Sequence, residues 1–335
     1  MKTVLVTGGA GYVGAVLVPK LLRRGYRVKV LDLFLFGEHV LAEHATNPAL
    51  TCIKGDIRDQ ALLRSVLRGS DAVIHLACIS NDPSFELNPL LSKSINYDAF
   101  RPLVEISRQS GVQRFIYAST SSVYGVSDRE NVTEDHPLVP LTDYNKYKGL
   151  CEPILLQYQS AEFTTVIIRP ATICGYSPRL RLDLTVNILT NLAVNKRKIT
   201  IFGGQQKRPN IHVEDITDLY ADLLEMPSEL IAGKIFNAAY QNHTVAELGE
   251  MVQTVVQQKM PHLIPIAVET APSNDLRSYH VSSEKIKREL GFVPKRTVDD
   301  AIVDLCTAFQ TGLIPNPLDD IHYYNVRTLQ ASGLT

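Results

Sequence analysis

The strongest indication of the fold is the stretch Lys2-Thr-Val-Leu-Val-Thr-Gly-Gly-Ala-Gly-Tyr-Val-Gly14. A short apolar strand runs into a glycine-rich turn, and apolar residues at helical spacing follow over residues 16–22. Gly8 allows a tight turn, Gly11 lets the backbone approach a pyrophosphate, and Gly14 lets the helix and the strand pack closely. The free N–H groups and the dipole at a helix start favour an anion. This order of elements predicts a dinucleotide-binding turn.

A carboxylate at the end of the next strand indicates which dinucleotide binds. The apolar strand over residues 27–31 ends in Asp32, about 20 residues after the glycines, as such sites require. A carboxylate there accepts the ribose hydroxyls of NAD and repels the 2′-phosphate of NADP, and positions 33–38 hold no arginine. The sequence therefore predicts NAD as the cofactor. The alternative is that Asp32 only begins a turn.

Composition narrows the class of protein. The chain has 335 residues, 34 Lys and Arg against 35 Asp and Glu, and a net charge of −1. This balance gives no reason to expect nucleic acid or an acidic membrane surface as a partner. The five cysteines form no C-x-x-C pair, so we expect free thiols and no metal site. Without a signal peptide or a membrane-spanning run, a cytoplasmic protein is expected.

Apolar strands alternate with helical runs in the first half of the chain. Further strands are predicted at residues 50–54, 72–76, 113–118 and 164–168, and helices at residues 60–68, 87–110 and 144–159. This alternation predicts an α/β fold, a Rossmann-type doubly wound parallel sheet with helices on both faces. The ligand then lies beyond the carboxyl ends of the strands.

The character of the chain changes after Arg169-Pro170, where prolines break it into short elements. We expect a dinucleotide-binding domain over residues 1–170 and a smaller mixed α/β substrate lobe formed by residues 171–210 and 238–335. Residues 211–237 are expected to return to the first domain. The tail, residues 313–335, has no pattern that predicts its structure.

Two motifs carry chemistry. The predicted strand over residues 113–118 ends in the hydroxyl-rich run Ser119-Thr-Ser-Ser122, which taken alone is more often only a turn. Further on, Tyr144-Asn-Lys-Tyr-Lys148 places Tyr144 and Lys148 on one helix face, one turn apart. A phenol is a poor proton-transfer group at neutral pH, and a neighbouring ammonium stabilises its phenolate. Following a dinucleotide turn, this pair predicts acid–base chemistry rather than a solvated helix face.

Together these motifs resemble those of the extended short-chain dehydrogenase/reductases, especially the nucleotide-sugar epimerase and dehydratase group. The resemblance covers about residues 3–310. The matching pieces are residues 7–14, Asp32, residues 55–59, residues 75–77, Asn96, residues 123–125, residues 144–148, Arg169-Pro170, residues 208–215 and the late helix over residues 282–291.

The resemblance implies a set of cofactor contacts. Asp56 and Ile57 would hold the adenine, Ala77 would line the channel beside the ribose, and Asn96 would help to order the active-site helix. Alternatively, Asp56 only initiates a turn after Gly55. The full set of implied cofactor-binding residues is Gly8, Gly11, Tyr12, Val13, Gly14, Asp32, Asp56, Ile57, Leu76, Ala77, Asn96, Ser119, Tyr144, Lys148 and Pro170.

The resemblance also implies catalytic and substrate-binding residues. Thr120 would hydrogen-bond the reacting sugar hydroxyl, Tyr144 would take its proton, and Lys148 would position the ribose and tune Tyr144. Arg208 and Arg277 would bind the substrate diphosphate, for which a planar guanidinium is suited, although lone arginines are usually solvated. With residues of this chain that depart from the group's pattern included, the candidate substrate-binding residues are Ser80, Thr120, Ser121, Thr172, Arg179, Arg208 and Arg277.

The chain departs from the group's pattern at four places. Ser121 and Ser122 follow Thr120 where the sugar dehydratases carry Asp-Glu, which makes a 4,6-dehydratase unlikely. Thr172 stands where many members have Asn, and Ala271-Pro-Ser-Asn-Asp275 replaces Arg-Pro-Gly-Asp. Arg179-Leu-Arg181 adds positive charge that either binds a substrate anion or belongs to a solvated loop.

The resulting expectation is an NAD-dependent nucleotide-diphospho-sugar epimerase that acts at C4, with a nucleotide sugar as its ligand. One alternative is a keto-sugar reductase or nucleotide-sugar dehydrogenase with net turnover of NAD(P). Another is a protein that binds NAD without catalysis. Because residues 87–110 and 144–159 resemble the helices that pair in dimers of the group, a homodimer is expected. Packing within one chain would explain the same apolar positions.

Overall fold

The computed structural model describes residues 2–127, 129, 131–272, 278 and 280–333. These residues form twelve strands: β1 (Thr3–Thr7), β2 (Arg27–Asp32), β3 (Leu50–Lys54), β4 (Ala72–His75), β5 (Arg114–Ala118), β6 (Thr164–Pro170), β7 (Thr172–Cys174), β8 (Lys198–Phe202), β9 (Lys207–His212), β10 (Lys234–Ala238), β11 (Gln241–Thr244) and β12 (Ala267–Ala271).

They also form thirteen α-helices: α1 (Gly14–Arg23), α2 (Gln60–Leu67), α3 (Asp82–Glu86), α4 (Pro89–Lys93), α5 (Phe100–Gln109), α6 (Asp143–Leu156), α7 (Thr185–Lys196), α8 (Val213–Asp222), α9 (Ser228–Ile231), α10 (Val245–Lys259), α11 (Glu284–Leu290), α12 (Val298–Gln310) and α13 (Asn325–Ala331). None of the described helices is both long enough and apolar enough to cross a bilayer.

Seven parallel strands form the central sheet, in the order β10-β6-β5-β4-β1-β2-β3. The predicted parallel α/β sheet is therefore confirmed. The chain moves outward from β1 through β2 to β3 and then crosses to the other side of β1, where β4 begins. A crevice opens outside the carboxyl ends of the strands at such a reversal, between β1 and β4.

Helices cover both faces of this sheet because alternate strand residues point to opposite faces. Val4 and Val6 of β1 pack in a core that includes Leu17 of α1 and Leu219 of α8. Leu5 packs in a second core on the other face, with side chains from α2, α5 and α6. The sheet is doubly wound, as predicted.

The remaining strands form the smaller lobe. In one sheet β9 pairs with β7 in parallel and with β11 antiparallel, and in the other β8 pairs with β12 in parallel. Apolar side chains of α7, α10 and α12 form a separate core beside these strands. The lobe is mixed α/β, which agrees with the predicted fold class.

The long helical stretch predicted over residues 87–110 is helical from residue 89 to residue 109, but it is not one uniform α-helix. Helix α3 ends at Glu86, just before this region, and the region itself forms α4 and α5 with a π-helical turn at Ser94–Asp98 between them. Asn88 caps the start of α4, because its side chain accepts a hydrogen bond from Leu91 N, and Pro89 is the first residue of the helix. This new helix start separates α4 from α3. The π turn leaves the carbonyl of Asn96 to accept a bond from Cys151 Sγ at 3.3 Å.

The segment after the lobe's first strands returns to the large sheet. Its helix begins at Val213, two residues later than the predicted segment, because Ile211 and His212 complete β9. Helix α8 packs on α1, where Lys20 Nζ donates to Asp218 Oδ1 at 2.5 Å. Strand β10 pairs with β6 at the sheet edge. The domain division proposed from the sequence stays a prediction.

Candidate active site

A cleft of about 670 Å³ opens where the carboxyl ends of β1, β2, β4 and β5 face the smaller lobe. Its walls contain every predicted cofactor residue except Asn96, and every predicted substrate residue except Arg277. Arg277 lies outside the described residues. Positions from the ends of six strands, β1 to β6, from α6 and from the lobe are thus brought together at one place, which has the volume of a ligand site.

The glycine-rich turn has little room for side chains. Gly8 has φ +74°, and a Cβ there would lie 2.6 Å from the backbone nitrogen of Ala77. A Cβ on Gly14 would meet the backbone of Gly9 at 2.5 Å, so the close contact of Gly14 is with the turn itself rather than with the strand. Gly11 N donates to Gly8 O at 3.1 Å, which fixes the turn in front of α1.

Asp32 is held by backbone donors at the end of β2. Its carboxylate accepts from Ala10 N at 2.9 Å and from Phe34 N at 2.8 Å. Burial raises the pKa of Asp32, and these two donors together with Arg179 oppose that shift. The carboxylate is therefore fixed between the glycine-rich turn and the loop after β2, where a ribose of a dinucleotide would lie.

Asp56, after β3, lines the cleft, whereas Asn96 supports the loop after β4 from outside the cleft wall. Asp56 lines the cleft and forms an ion pair with Arg58 at 2.6 Å. Burial would raise the pKa of Asp56, but the contact with Arg58 outweighs it and lowers the pKa. Asn96 lies outside the cleft wall, and its amide brackets Ile79 by accepting from the backbone N at 2.8 Å and donating to the O at 2.9 Å. Asn96 thus supports the loop after β4 and does not line the cleft.

Tyr144 and Lys148 line the cleft from α6, one helical turn apart. Lys148 is 4% exposed, and its Nζ donates to Ala118 O at the end of β5. The same nitrogen lies 4.6 Å from the centroid of the Tyr117 ring. A buried ammonium is therefore held on the side of α6 that carries Tyr144.

The hydroxyl-rich run after β5 joins the same wall. The Thr120 and Ser122 hydroxyls lie 2.8 Å apart, and Ser122 Oγ donates in turn to Asn145 Oδ1 on α6. Ser121 is buried and also lines the cleft. The chain of bonds fixes Thr120 relative to the helix that presents Tyr144. The two residues directly after Thr120 are serines, so neither can act as a carboxylic acid.

A buried ion pair behind this wall was missed from the sequence. Glu152 on α6 accepts from Ser119 Oγ at 2.6 Å and receives two bonds from Arg169 of β6, at 3.0 and 2.6 Å. Arg169 also donates to Tyr124 Oη at 2.7 Å. The sequence does contain a sign of the involvement of Glu152, because this residue lies four positions after Lys148 and so shares its helix face.

The lobe contributes cations to the cleft. Arg181 is paired with Asp183, at 2.9 and 3.1 Å, and donates to Ser80 Oγ at 3.3 Å. Arg179 and Arg208 are also buried and line the cleft, as does Thr172 of β7, which is less buried. The loop with Arg179 and Arg181 is thus packed rather than solvated.

The tail that the sequence left unassigned also reaches the site. Asn325, the first residue of α13, donates from Nδ2 to Ser80 Oγ at 2.9 Å, and Leu329 lines the cleft as well. Helix α13 packs on α3 beside the loop after β4. No local pattern could have shown this, because the contacts join residues about 245 positions apart.

These observations fit a bound dinucleotide. Gly8 and Gly14, where a Cβ would collide with backbone, and the fixed Asp32 all line the cleft. Lys148 and Tyr144 lie on α6, beside the end of β5. Because both sets of residues line one cleft, it can hold the adenosine half and the nicotinamide half of a single cofactor.

Comparisons with known proteins agree with this reading. A model of the NAD dependent epimerase/dehydratase family matches residues 4–239. The UDP-glucose 4-epimerase of Lactobacillus helveticus is 28% identical over 322 residues, which cover 89% of this chain and 94% of the relative. The UDP-glucose 4-epimerase of Bacillus subtilis (strain 168) is 27% identical over 325 residues, covering 90% and 95%.

Solved structures show the same fold. The dTDP-glucose 4,6-dehydratase of Streptomyces venezuelae, with NAD bound, has a TM-score of 0.82 at 24% identity and covers 96% of this chain and 98% of its own. The UDP-glucuronic acid 4-epimerase of Bacillus cereus, also with NAD, has a TM-score of 0.81 at 22% identity and covers 92% and 99%. The family match confirms the predicted resemblance and the predicted cofactor, NAD. The chain belongs to the NAD-dependent epimerase/dehydratase family.

Proposed function

We propose that this protein is a nucleotide-diphospho-sugar epimerase that inverts one sugar carbon, C4, and retains its NAD. The observation that carries the proposal is the cleft wall with Thr120, Tyr144 and Lys148, in which serines follow Thr120 where a dehydratase needs a carboxylic acid. The relatives named UDP-glucose 4-epimerase support C4 as the carbon that is inverted.

The residues divide the chemistry as follows. When bound, NAD supplies a reversible oxidation of the carbon that bears the reacting hydroxyl. Tyr144 takes the proton of that hydroxyl at its phenolate oxygen and later returns it. Lys148 stabilises the phenolate with its charge, and Thr120 hydrogen-bonds the same sugar oxygen, so that its hydroxyl orients the reacting group.

Inversion needs the oxidised sugar to present its other face while the nucleotide stays bound. Arg208 of β9 is buried in the lobe wall, and its guanidinium suits a diphosphate. Anchoring the substrate at the diphosphate leaves the sugar free to turn in the rest of the cleft. The same residues would serve a reductase or a dehydrogenase, so cofactor stoichiometry separates these reactions.

The test incubates the purified protein with NAD and a panel of UDP, GDP, CDP and dTDP sugars. Absorbance at about 340 nm reports reduced cofactor, and NMR identifies the sugar. We expect an isomeric sugar without accumulation of NADH. Formation of one NADH for each oxidised sugar would replace the proposal with a dehydrogenase, and recovery of every sugar unchanged would reject it.

A further inference from the structure

Arg179 is a buried cation without a carboxylate in contact among the described residues. Its side chain is 3% exposed, one guanidinium nitrogen donates to Asn325 Oδ1, and Nε has no hydrogen-bond partner. Arg181, two residues later, has Asp183 as its ion-pair partner. Burial, together with repulsion by Arg181, lowers the pKa of Arg179. A buried charge of this kind is costly unless an anion compensates it.

The surroundings of Arg179 belong to the cofactor half of the cleft. Its guanidinium carbon lies 3.6 Å from the centroid of the Phe36 ring, in the loop that follows Asp32. Electrostatic interactions also connect it with Asp32 and with Tyr12 of the glycine-rich turn. A cation that stacks on the loop after Asp32 and interacts with both Asp32 and the glycine-rich turn is near the part of the cleft where a dinucleotide would carry its negative charge.

Arg181 differs from Arg179 in its partners. Its guanidinium pairs with Asp183 and donates to Ser80 Oγ at 3.3 Å, in the loop after β4, and it interacts electrostatically with Tyr144 and Tyr12. The charge of Arg181 is therefore compensated within the protein. Among the described residues Arg179 has no carboxylate in contact, so of the two arginines it is the one expected to meet the anion of a ligand.

The C-terminal segment fixes the orientation of Arg179. Asn325 accepts from its guanidinium and donates to Ser80 Oγ, and Asn325 N donates to Asp183 Oδ2 at 3.3 Å. One side of the guanidinium is stacked on Phe36, one nitrogen is anchored on Asn325, and the side chain lines the cleft. A planar guanidinium held in this way is preorganised for a phosphate.

We propose that Arg179 binds the diphosphate of NAD, held in place by Phe36 and Asn325, and thereby retains the cofactor. The inference rests on NAD binding, which the family shows, and not on the reaction proposed above. A substrate could offer an anion of the same chemistry, because a nucleotide sugar also carries a diphosphate. The experiment must therefore separate the two sources.

The test measures binding by calorimetry in the full chain, stripped of cofactor, with Arg179→Met. We expect the Kd of both NAD and ADP to rise by about 10- to 100-fold, the worth of a lost charge-assisted contact, while the Kd of adenosine stays within about twofold. UDP binding to the NAD-saturated variant should match that of the wild type. Unchanged NAD and ADP binding, or a loss confined to UDP, would overturn the proposal.

Further variants keep the test decisive if Arg179→Met does not fold. Arg179→Lys keeps the charge but loses the planar fork, and Asn325→Ala removes the anchor, so each should weaken ADP binding severalfold. Arg327→Met is the matched control, because Arg327 stacks on Tyr324 in the same segment and does not line the cleft. A loss of ADP affinity in Arg327→Met equal to that in Asn325→Ala would overturn the assignment. NAD content after gel filtration gives a second readout that is independent of activity.

Discussion

Tyr144 carries the proton transfer in the proposed reaction, so its hydroxyl should be indispensable while its ring is not. We expect Tyr144→Phe to lower kcat by about 10²- to 10⁴-fold, the usual share of a positioned acid–base group. The Kd of NAD should change little. Initial rates on the substrate found in the panel, together with calorimetry for NAD, measure the two effects separately.

Tyr147 offers the matched control on the same helix. It stacks with Phe85 at 5.7 Å between ring centroids and does not line the cleft. Tyr147→Phe keeps this ring and should keep kcat within about twofold, because remote surface changes that preserve packing have small effects. Equal rates for the wild type and Tyr144→Phe would remove Tyr144 from the mechanism.

Glu152 shows how the catalytic wall is supported from behind. Its carboxylate and the guanidinium of Arg169 are 2% and 3% exposed, and Ser119 is tied to the pair. Glu152→Gln leaves the buried Arg169 charge without its partner, which should cost about 3–5 kcal/mol in the free energy of unfolding. Urea denaturation of the two proteins measures this loss.

The double variant Glu152→Leu with Arg169→Met distinguishes the cost of an unpaired buried charge from the cost of lost packing. Replacing both charges by apolar side chains avoids an unpaired charge, so it should cost less than Glu152→Gln alone. Should the double variant be the less stable of the two, the destabilisation comes from lost packing rather than from the orphaned charge.

At the scale of elements, His75 joins the ends of β4 and β1. Its ring is buried, and Nδ1 lies 2.7 Å from Thr7 Oγ1. Burial, with a smaller contribution from Lys148, lowers the pKa of His75 to about 3. In the unfolded chain the pKa is near ~6.5, so the unfolded state binds one more proton between the two values. The folded state, which holds the neutral His75 ring, therefore has its full stability above about pH 6.5 and loses stability progressively as the pH falls toward 3.

This linkage predicts a pH dependence that one substitution removes. Between pH 6.5 and 4.5, His75 should make the free energy of unfolding fall by up to about 1.4 kcal/mol per pH unit. His75→Asn keeps a polar group near Thr7 and cannot titrate, so the slope in urea titrations should be shallower by that amount. Parallel curves for the two proteins would show that His75 is not the group that titrates.

The elements also show what sequence patterns can and cannot predict. Strands β1 to β6 were predicted to within two residues, because buried parallel strands are short apolar runs between turns. Residues 87–110 have helical periodicity, but the periodicity hid a cap at Asn88 and a π turn. Such breaks depend on local side-chain bonds that hydrophobic spacing does not encode.

Some residues of the candidate site could be predicted from local sequence patterns, and others could not. The glycine-rich turn, Asp32 and the pair Tyr144 and Lys148 follow from local spacing, so the sequence identified them. Asn325 meets the cleft only because the chain folds back over about 245 residues, which no window of sequence reveals. Long-range contacts of this kind therefore have to come from the structure.

At the scale of the whole molecule, the predicted homodimer can be argued from exposed apolar side chains. Leu90 of α4 is 81% exposed and Leu150 of α6 is 40% exposed, and both lie in the two stretches expected to pair between subunits. Exposed apolar groups in these two stretches are what a surface covered by a partner would present. A pair of helices from each subunit would form a four-helix interface.

The variant Leu90→Glu with Leu150→Glu should therefore dissociate the protein. Because an isologous interface contains each residue twice, each substitution buries two carboxylates, which is strongly unfavourable. Light scattering with size exclusion should give near twice the 37.2 kDa chain mass for the wild type and the chain mass for the variant. Leu313→Glu is the control, since Leu313 is 58% exposed but lies after α12, away from these helices, and its mass should match the wild type. A wild type that elutes as a single chain at micromolar concentration would contradict the dimer, and dissociation by Leu313→Glu would place the interface on another surface.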